Sequence, residues 1–187
     1  QIKNDISFLL GGRCLILIEH QSTINQNMAL RFLYYVCEQF RQTIATKALH
    51  RNRPIHLPAP EFHVFYTGGS DAPETQTMRL SDTYLDPVHK INLELSVLCH
   101  NIEYDTEKTL LQKSRAIKEY SFFIARIKEN LRQGMARPAA IQEAIRYCET
   151  HDIMALFLKA HEREVIDMVN FEWNQKEYEA AIREEGM

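Results

Sequence analysis

Positive charge is in short supply in this chain: 22 Lys and Arg face 25 Asp and Glu, leaving a formal net charge of -3. That is a poor footprint for a protein that grips nucleic acid over a wide surface. Any contact with phosphate must be local, through a few clustered side chains or through a metal ion. Long apolar runs are missing too, since no stretch approaches the ~20 residues that span a bilayer. The first residues carry neither a basic leader nor a small-residue cleavage site, so the chain reads as soluble and cytoplasmic, with no membrane partner. Cys14, Cys37, Cys99 and Cys148 stand far apart in apolar stretches and never form the close pairs of a zinc site or redox motif. Four buried free thiols are expected. The 8 histidines include no pair at helical ligand spacing, and Ser22 lacks the glycine elbow of a serine hydrolase. Internal repeats and low-complexity segments are absent, and no organic cofactor is expected.

What is present is ordinary globular material, with a hydrophobic share of 45% over 187 residues, enough for one compact domain or one core with a helical extension. Asn4 to Leu10 and Cys14 to His20 read as strands joined by a Gly11-Gly12 turn. Cys14 to Ile18 is apolar on both faces, as in a strand inside a covered sheet. From Asn27 to Ala45 the period changes, with Met28, Leu33, Val36, Cys37, Phe40 and Ile44 at helical spacing. Pro54, Pro58 and Pro60 interrupt a loop before a third strand, Phe62 to Tyr66, and Leu93 to Leu98 predicts a fourth. Beyond Asn101 the texture is helical. One helix is expected from an N-cap at Asp105 to a stop at Gly134, a second with Pro138 in its first turn, and a third capped by Asp152. A polar helix, Glu162 to Glu185, follows with Val165, Met168, Val169, Trp173 and Ile182 as its apolar contacts. The expectation is an α/β (α+β) fold: a mixed sheet with helical cover over residues 1–100, then an all-helical C-terminal extension over 101–187. A domain starting at Gln1 would begin abruptly in a sheet strand, so the N-terminal part of the core is expected to be missing and the chain to come from the middle of a longer protein.

The chemistry concentrates in Asp5 and in Ile18-Glu-His-Gln-Ser22. Two readings fit. In one, Asp5 caps a strand end and Glu19 is a solvated residue after an apolar strand. In the other, two carboxylates at the ends of adjacent strands form the hard-oxygen site that Mg²⁺ prefers, with room for water and a phosphate oxygen. A carboxylate directly after the apolar run Cys14 to Ile18, with Gln21 two positions on and on the same face, favours the metal. Geometry sets a condition. With Gly11 and Gly12 as a two-residue loop, Asn4 lies opposite Glu19, and Asp5 and Glu19 face opposite sides. Convergence needs an odd-length loop or a bulge, for which paired glycines are suited.

Arg31 and Tyr35 sit one turn apart on the helix, and Gln39 extends their face. Either Arg31 contacts a phosphate with Tyr35 beside the metal, or Arg31 is a surface residue stacking its stem on an aromatic neighbour. His63 alternates with apolar residues in a strand and reads as a satisfied or half-exposed residue. The basic loop Lys47 to Arg53 reads as solvated rather than DNA-bound, and Trp173 as a packing anchor rather than a base-stacking platform.

Asn4-Asp-Ile-Ser-Phe8, Leu17-Ile-Glu-His-Gln-Ser22, Leu30-Arg-Phe-Leu-Tyr-Tyr35, Pro60 to Gly68 and Arg79-Leu-Ser-Asp82 together resemble the recombination-promoting nuclease and transposase family, a branch of the PD-(D/E)XK superfamily. Ala144 to Cys148, His161, Glu164 to Met168 and Glu172-Trp-Asn174 resemble its C-terminal blocks, so the likeness runs over nearly the whole chain. The resemblance implies a restriction-endonuclease-like core, a four-stranded mixed sheet flanked by helices, that hydrolyses DNA phosphodiester bonds with Mg²⁺, or Mn²⁺ in its place. It matches Asp5 to the motif's Asp and Glu19 to its D/E position, and makes the His20 backbone carbonyl a further metal ligand. Gln21 stands where Lys is usual; its amide orients water but supplies no positive charge. The expected function is metal-dependent DNA endonuclease action in transposition or recombination, with a homodimer supplying the two sites that double-strand cutting requires. The alternative is a catalytically weak or inactive nuclease-fold protein that binds DNA or serves as a scaffold.

Overall fold

The structure, a computed structural model, describes residues 5–85 and 90–185, much of the last helix by its backbone alone. Asn4, expected to open the first strand, and the side chains of Met168, Trp173 and Ile182 lie outside the described residues. The elements run β1 (Ile6–Leu10), β2 (Cys14–Gln21), α1 (Met28–Thr43), β3 (Ala59–Tyr66), β4 (Thr75–Arg79), β5 (Ser96–Asn101), α2 (Thr109–Lys113), α3 (Arg115–Arg132), α4 (Arg137–Thr150) and α5 (Ala155–Glu185). Contacts divide the chain into two units, one of Gln1–Tyr66 with Pro73–Asn101, the other of Thr67–Ala72 with Ile102–Met187.

The first unit is built on a mixed sheet in the order β1-β2-β3-β5-β4. β2, β3 and β5 run parallel, while β1 and β4 pair antiparallel at the two edges. The sheet thus has five strands where four were expected. The unforeseen one, β4, reads Thr-Gln-Thr-Met-Arg and buries Met78 alone, so its sequence lacks the apolar alternation that marks a strand. The last strand in the chain also begins later than Leu93, because its ladder opens at Arg79↔Ser96 with β4 and is joined by β3 from His63↔Leu98 to Tyr66↔Asn101.

Parity decides the hairpin. Leu10 pairs with Cys14, which leaves Gly11, Gly12 and Arg13 as a three-residue loop. Gly11 and Gly12 adopt φ of 57° and 71°, a left-handed conformation that glycine enters without a Cβ clash. The loop is odd, and Ile6 lies opposite Ile18. β1 is an edge strand, and Ile6, Phe8, Leu9 and Leu10 are exposed.

α1 returns the chain across one sheet face, as a parallel β2-to-β3 connection requires. It buries Met28, Ala29, Phe32, Tyr35 and Val36 against Leu17, Phe62, Val64, Met78, Val97 and Cys99. Phe32 is fully buried, its ring 5.6 Å from that of Tyr35 and 5.3 Å from that of Phe62. The buried stripe runs through Phe32 and Tyr35, and Cys37, expected inside, is exposed. Cys14 is half-buried, whereas Cys99 and Cys148 are buried, and burial pushes both of their thiols up to about 11.

In the second unit the helix expected from Asp105 to Gly134 is divided at Ser114. Ser114 takes an extended backbone (φ -129°, ψ 106°), and its hydroxyl accepts from the Ile117 N–H. A serine that can cap a new helix competes with the continuing one. Gly134, at φ 86°, follows the end of α3, and Pro138 occupies the first turn of α4. Asp152 is not a cap; it lies in the connection at φ 56°, and α5 starts at Ala155 and kinks at His161. Phe123, Ile124 and Ile127 pack with Ile141, Ala144, Ile145 and Cys148 and with Leu158, Val165 and Val169 as the core of this unit. Among the described residues, no helix is long and apolar enough to cross a membrane.

Truncating the ring at the centre of the first core should destabilise the protein strongly. Phe32→Ala is expected to lower the unfolding free energy by roughly 3–5 kcal/mol, read as a fall in the urea midpoint with little change in slope. A loss below about 1 kcal/mol would show that α1 is not packed on the sheet in this way.

Candidate active site

Along β2 the face toward α1 carries Leu17, Glu19 and Gln21, an apolar residue followed by two polar ones at the C-terminal end of a parallel strand. Ligand sites of α/β sheets gather at such ends. Glu19 is 4% exposed and Gln21 7%, so both polar side chains are held inside the fold. Continuing the β1–β2 register by one residue sets Asp5 opposite Glu19, and Asp5 Oδ2 accepts a 2.8 Å hydrogen bond from the His20 N–H. The odd loop has met the geometric condition, with both carboxyl-bearing residues on one side of the hairpin.

α1 brings the compensating charge. Arg31 Nη2 forms an ion pair with Glu19 Oε1, and the Tyr35 hydroxyl donates to the same oxygen at 3.3 Å. That hydroxyl accepts from Arg31 Nε at 3.0 Å and Nη2 at 2.8 Å. Glu19 Oε2, by contrast, is buried with no hydrogen-bond partner. Burial is the main force on this carboxyl and, with the Asp5 charge adding to it and Arg31 opposing, raises its pKa to about 7. Burial and the Glu19 charge also raise the Tyr35 phenol, which keeps it a donor.

The structure therefore joins Glu19, Arg31 and Tyr35 in one hydrogen-bonded network and sets Asp5 opposite Glu19, where its charge is felt. Gln21 is used differently from the expectation: its amide donates to Met28 Sδ at 2.9 Å and accepts from the Asn25 N–H at 3.1 Å, fastening the turn from β2 into α1. Gln39 lies one turn beyond Tyr35, half-buried. His20 alternates to the other sheet face, so only its backbone belongs to this site.

Among the described residues, no three His, Cys, Asp or Glu side chains come together as a ready ligand set for a metal. The two carboxylates nonetheless fit a hard cation. Glu19 combines an orphaned buried oxygen with a carboxyl raised by burial and, to a lesser extent, by the charge of Asp5, and a divalent ion answers both conditions where one guanidinium answers neither fully.

Sequence reasoning missed a cluster on the opposite face. His63 Nδ1 lies 3.2 Å from His100 Nε2, the two rings are stacked, and His63 Nε2 lies 3.5 Å from Glu61 Oε2. Alternation puts Glu61 and His63 on one face of β3, but only the β3–β5 register brings in His100. Burial, then the neighbouring His63, lowers the His100 pKa.

No family model matches the chain, and no match is found among curated proteins or solved structures.

A carboxyl with a higher pKa in the native state than its ordinary 4.5 binds its proton more tightly when folded. Its contribution to stability is fully present below about 4.5 and is lost as pH rises toward about 7. In metal-free buffer the wild type should therefore lose on the order of 3 kcal/mol of stability across that window through this group. Glu19→Gln should show a flatter profile over the same range in denaturant titrations. Parallel profiles would mean that Glu19 is not held in this environment.

Proposed function

We propose that this chain is a Mg²⁺-dependent endodeoxyribonuclease with a restriction-endonuclease-like core, acting in transposition or recombination. The observation that carries the reading is Glu19, buried at a strand end with one oxygen unpartnered, opposite Asp5 in the hairpin. The mixed sheet with a helix crossing from β2 to β3 supports the core assignment. The resemblance of the Asp5 and Glu19 segments to the PD-(D/E)XK motif supports the chemistry.

Asp5 and Glu19 would hold the ion, with the His20 carbonyl as a further ligand by the same resemblance. A bound Mg²⁺ supplies a Lewis acid for a phosphate oxygen and lowers the pKa of water. The protein's own part is to fix charge and geometry. The His20 N–H orients Asp5, the Tyr35 hydroxyl orients Glu19, and Arg31 offers a cation to the phosphate beside the scissile bond. Gln21 keeps β2 and α1 in register and leaves an amide hydrogen for water. With few basic residues, DNA would be held locally at this sheet end, and two copies would serve the two strands of a duplex.

One observation favours a second reading, a nuclease-fold scaffold with weak or no catalysis. Gln21, at the position usually held by lysine, spends both ends of its amide on Met28 and Asn25.

Plasmid nicking separates the two. The wild type should nick supercoiled DNA with Mg²⁺ or Mn²⁺ and not with EDTA. Glu19→Ala and Asp5→Ala should each lower the rate by roughly a hundredfold or more. Absent metal-dependent nicking, or nicking unchanged in Glu19→Ala, would establish the scaffold.

A further inference from the structure

The Arg31–Glu19 contact is an unusual use of an arginine. A guanidinium commonly grips a carboxylate through two parallel N–H groups, yet here Arg31 offers Nη2 to Oε1 and turns Nε to the Tyr35 hydroxyl. Glu19 Oε2 is left buried and without a donor. The guanidinium thus holds half of the carboxylate, from the side nearer solvent: the Arg31 side chain is 26% exposed and that of Glu19 5%.

We infer that Arg31 stands in for the divalent cation in the metal-free protein, that it must leave Glu19 when the ion binds, and that the guanidinium so released becomes the ligand for a nucleic-acid phosphate. The inference rests on the metal-site reading of Asp5 and Glu19.

Counting charges shows why the exchange is coupled. With Glu19 ionised, Asp5, Glu19 and Arg31 together leave one net negative charge, so the site attracts a cation and repels a phosphate. A divalent ion held by the two acids would reverse the sign, leaving one positive charge to balance the single negative charge of a phosphodiester. The attraction between Arg31 and Glu19 falls at the same moment, since the carboxylate's charge is then shared with the ion. Tyr35 is the pivot. Its hydroxyl holds Arg31 through two donors at 3.0 and 2.8 Å, so the guanidinium can leave Glu19 without leaving the site. Metal first, phosphate second is the order this arrangement enforces.

A fixed ion pair that merely neutralises Glu19 would behave differently, and Mn²⁺ binding to the full chain, followed by calorimetry, distinguishes the two. Arg31→Met should bind Mn²⁺ tighter than the wild type by roughly tenfold or more, because the competing charge is gone. Arg31→Lys, which keeps the charge, should stay close to the wild type. Mn²⁺ should also tighten binding of a short DNA duplex to the wild type, and Arg31→Met should lose that gain. Equal Mn²⁺ affinity in Arg31→Met and wild type overturns the exchange while leaving the metal site standing. No Mn²⁺ binding by either removes the metal site and the exchange with it. Should Arg31→Met fail to fold, arginine-labelled wild type gives the answer: the Arg31 Nε–H resonance should shift on adding Mg²⁺, and a signal unmoved at saturating Mg²⁺ overturns the inference.

Discussion

A carboxylate taken out of water at the end of an apolar strand is costly, and the surrounding groups can be understood as answers to that cost. Glu19 follows Leu17 into the space under α1. One answer is the Arg31 guanidinium and another the Tyr35 hydroxyl, and both depend on α1 lying at one height on the sheet. That height is set by Phe32 against Phe62 and by Gln21 against Met28. Core packing and site geometry are thus one problem here, because α1 buries its apolar stripe and delivers its polar pair in the same act.

The neutralisation is incomplete, which is what gives the site its chemical character. If stability alone governed this position, an apolar residue there would extend the run that begins at Cys14. Instead the fold keeps a like charge close by at Asp5 and a buried oxygen without a donor. Ionisable groups perturbed in this way occur both in structural ion-pair networks and at ligand sites.

Much of the first unit was legible in the sequence because its signals are strong. The apolar run from Cys14 to Ile18, the helical period after Asn27 and the proline-broken loop each admit one local answer. β4 was not legible, since Thr75–Arg79 buries a single apolar side chain and is a strand only because β5 offers it a partner. The break at Ser114 was hidden for the opposite reason: the apolar period continues through it, and one hydroxyl decides for a new start. At the site, residue types and spacing left Asp5, Glu19, Arg31 and Tyr35 each with a bland and a functional reading. Whether the carboxylates met depended on loop parity, which two glycines permit but do not determine. The ion pair between strand and helix was beyond local reasoning, as was the stacking of His63 on His100, because both depend on tertiary register.

The three-residue turn at Gly11, Gly12 and Arg13 carries a consequence for how such a sequence can drift. Surface turns ordinarily gain and lose single residues at little cost. Here a single-residue change that slid the pairing of β1 on β2, instead of being absorbed in the loop, would move every side chain of β1 to the reverse side and take Asp5 away from Glu19. Length variation at this tip is therefore compatible with the two acids meeting only where the loop takes it up and Leu10 stays opposite Cys14.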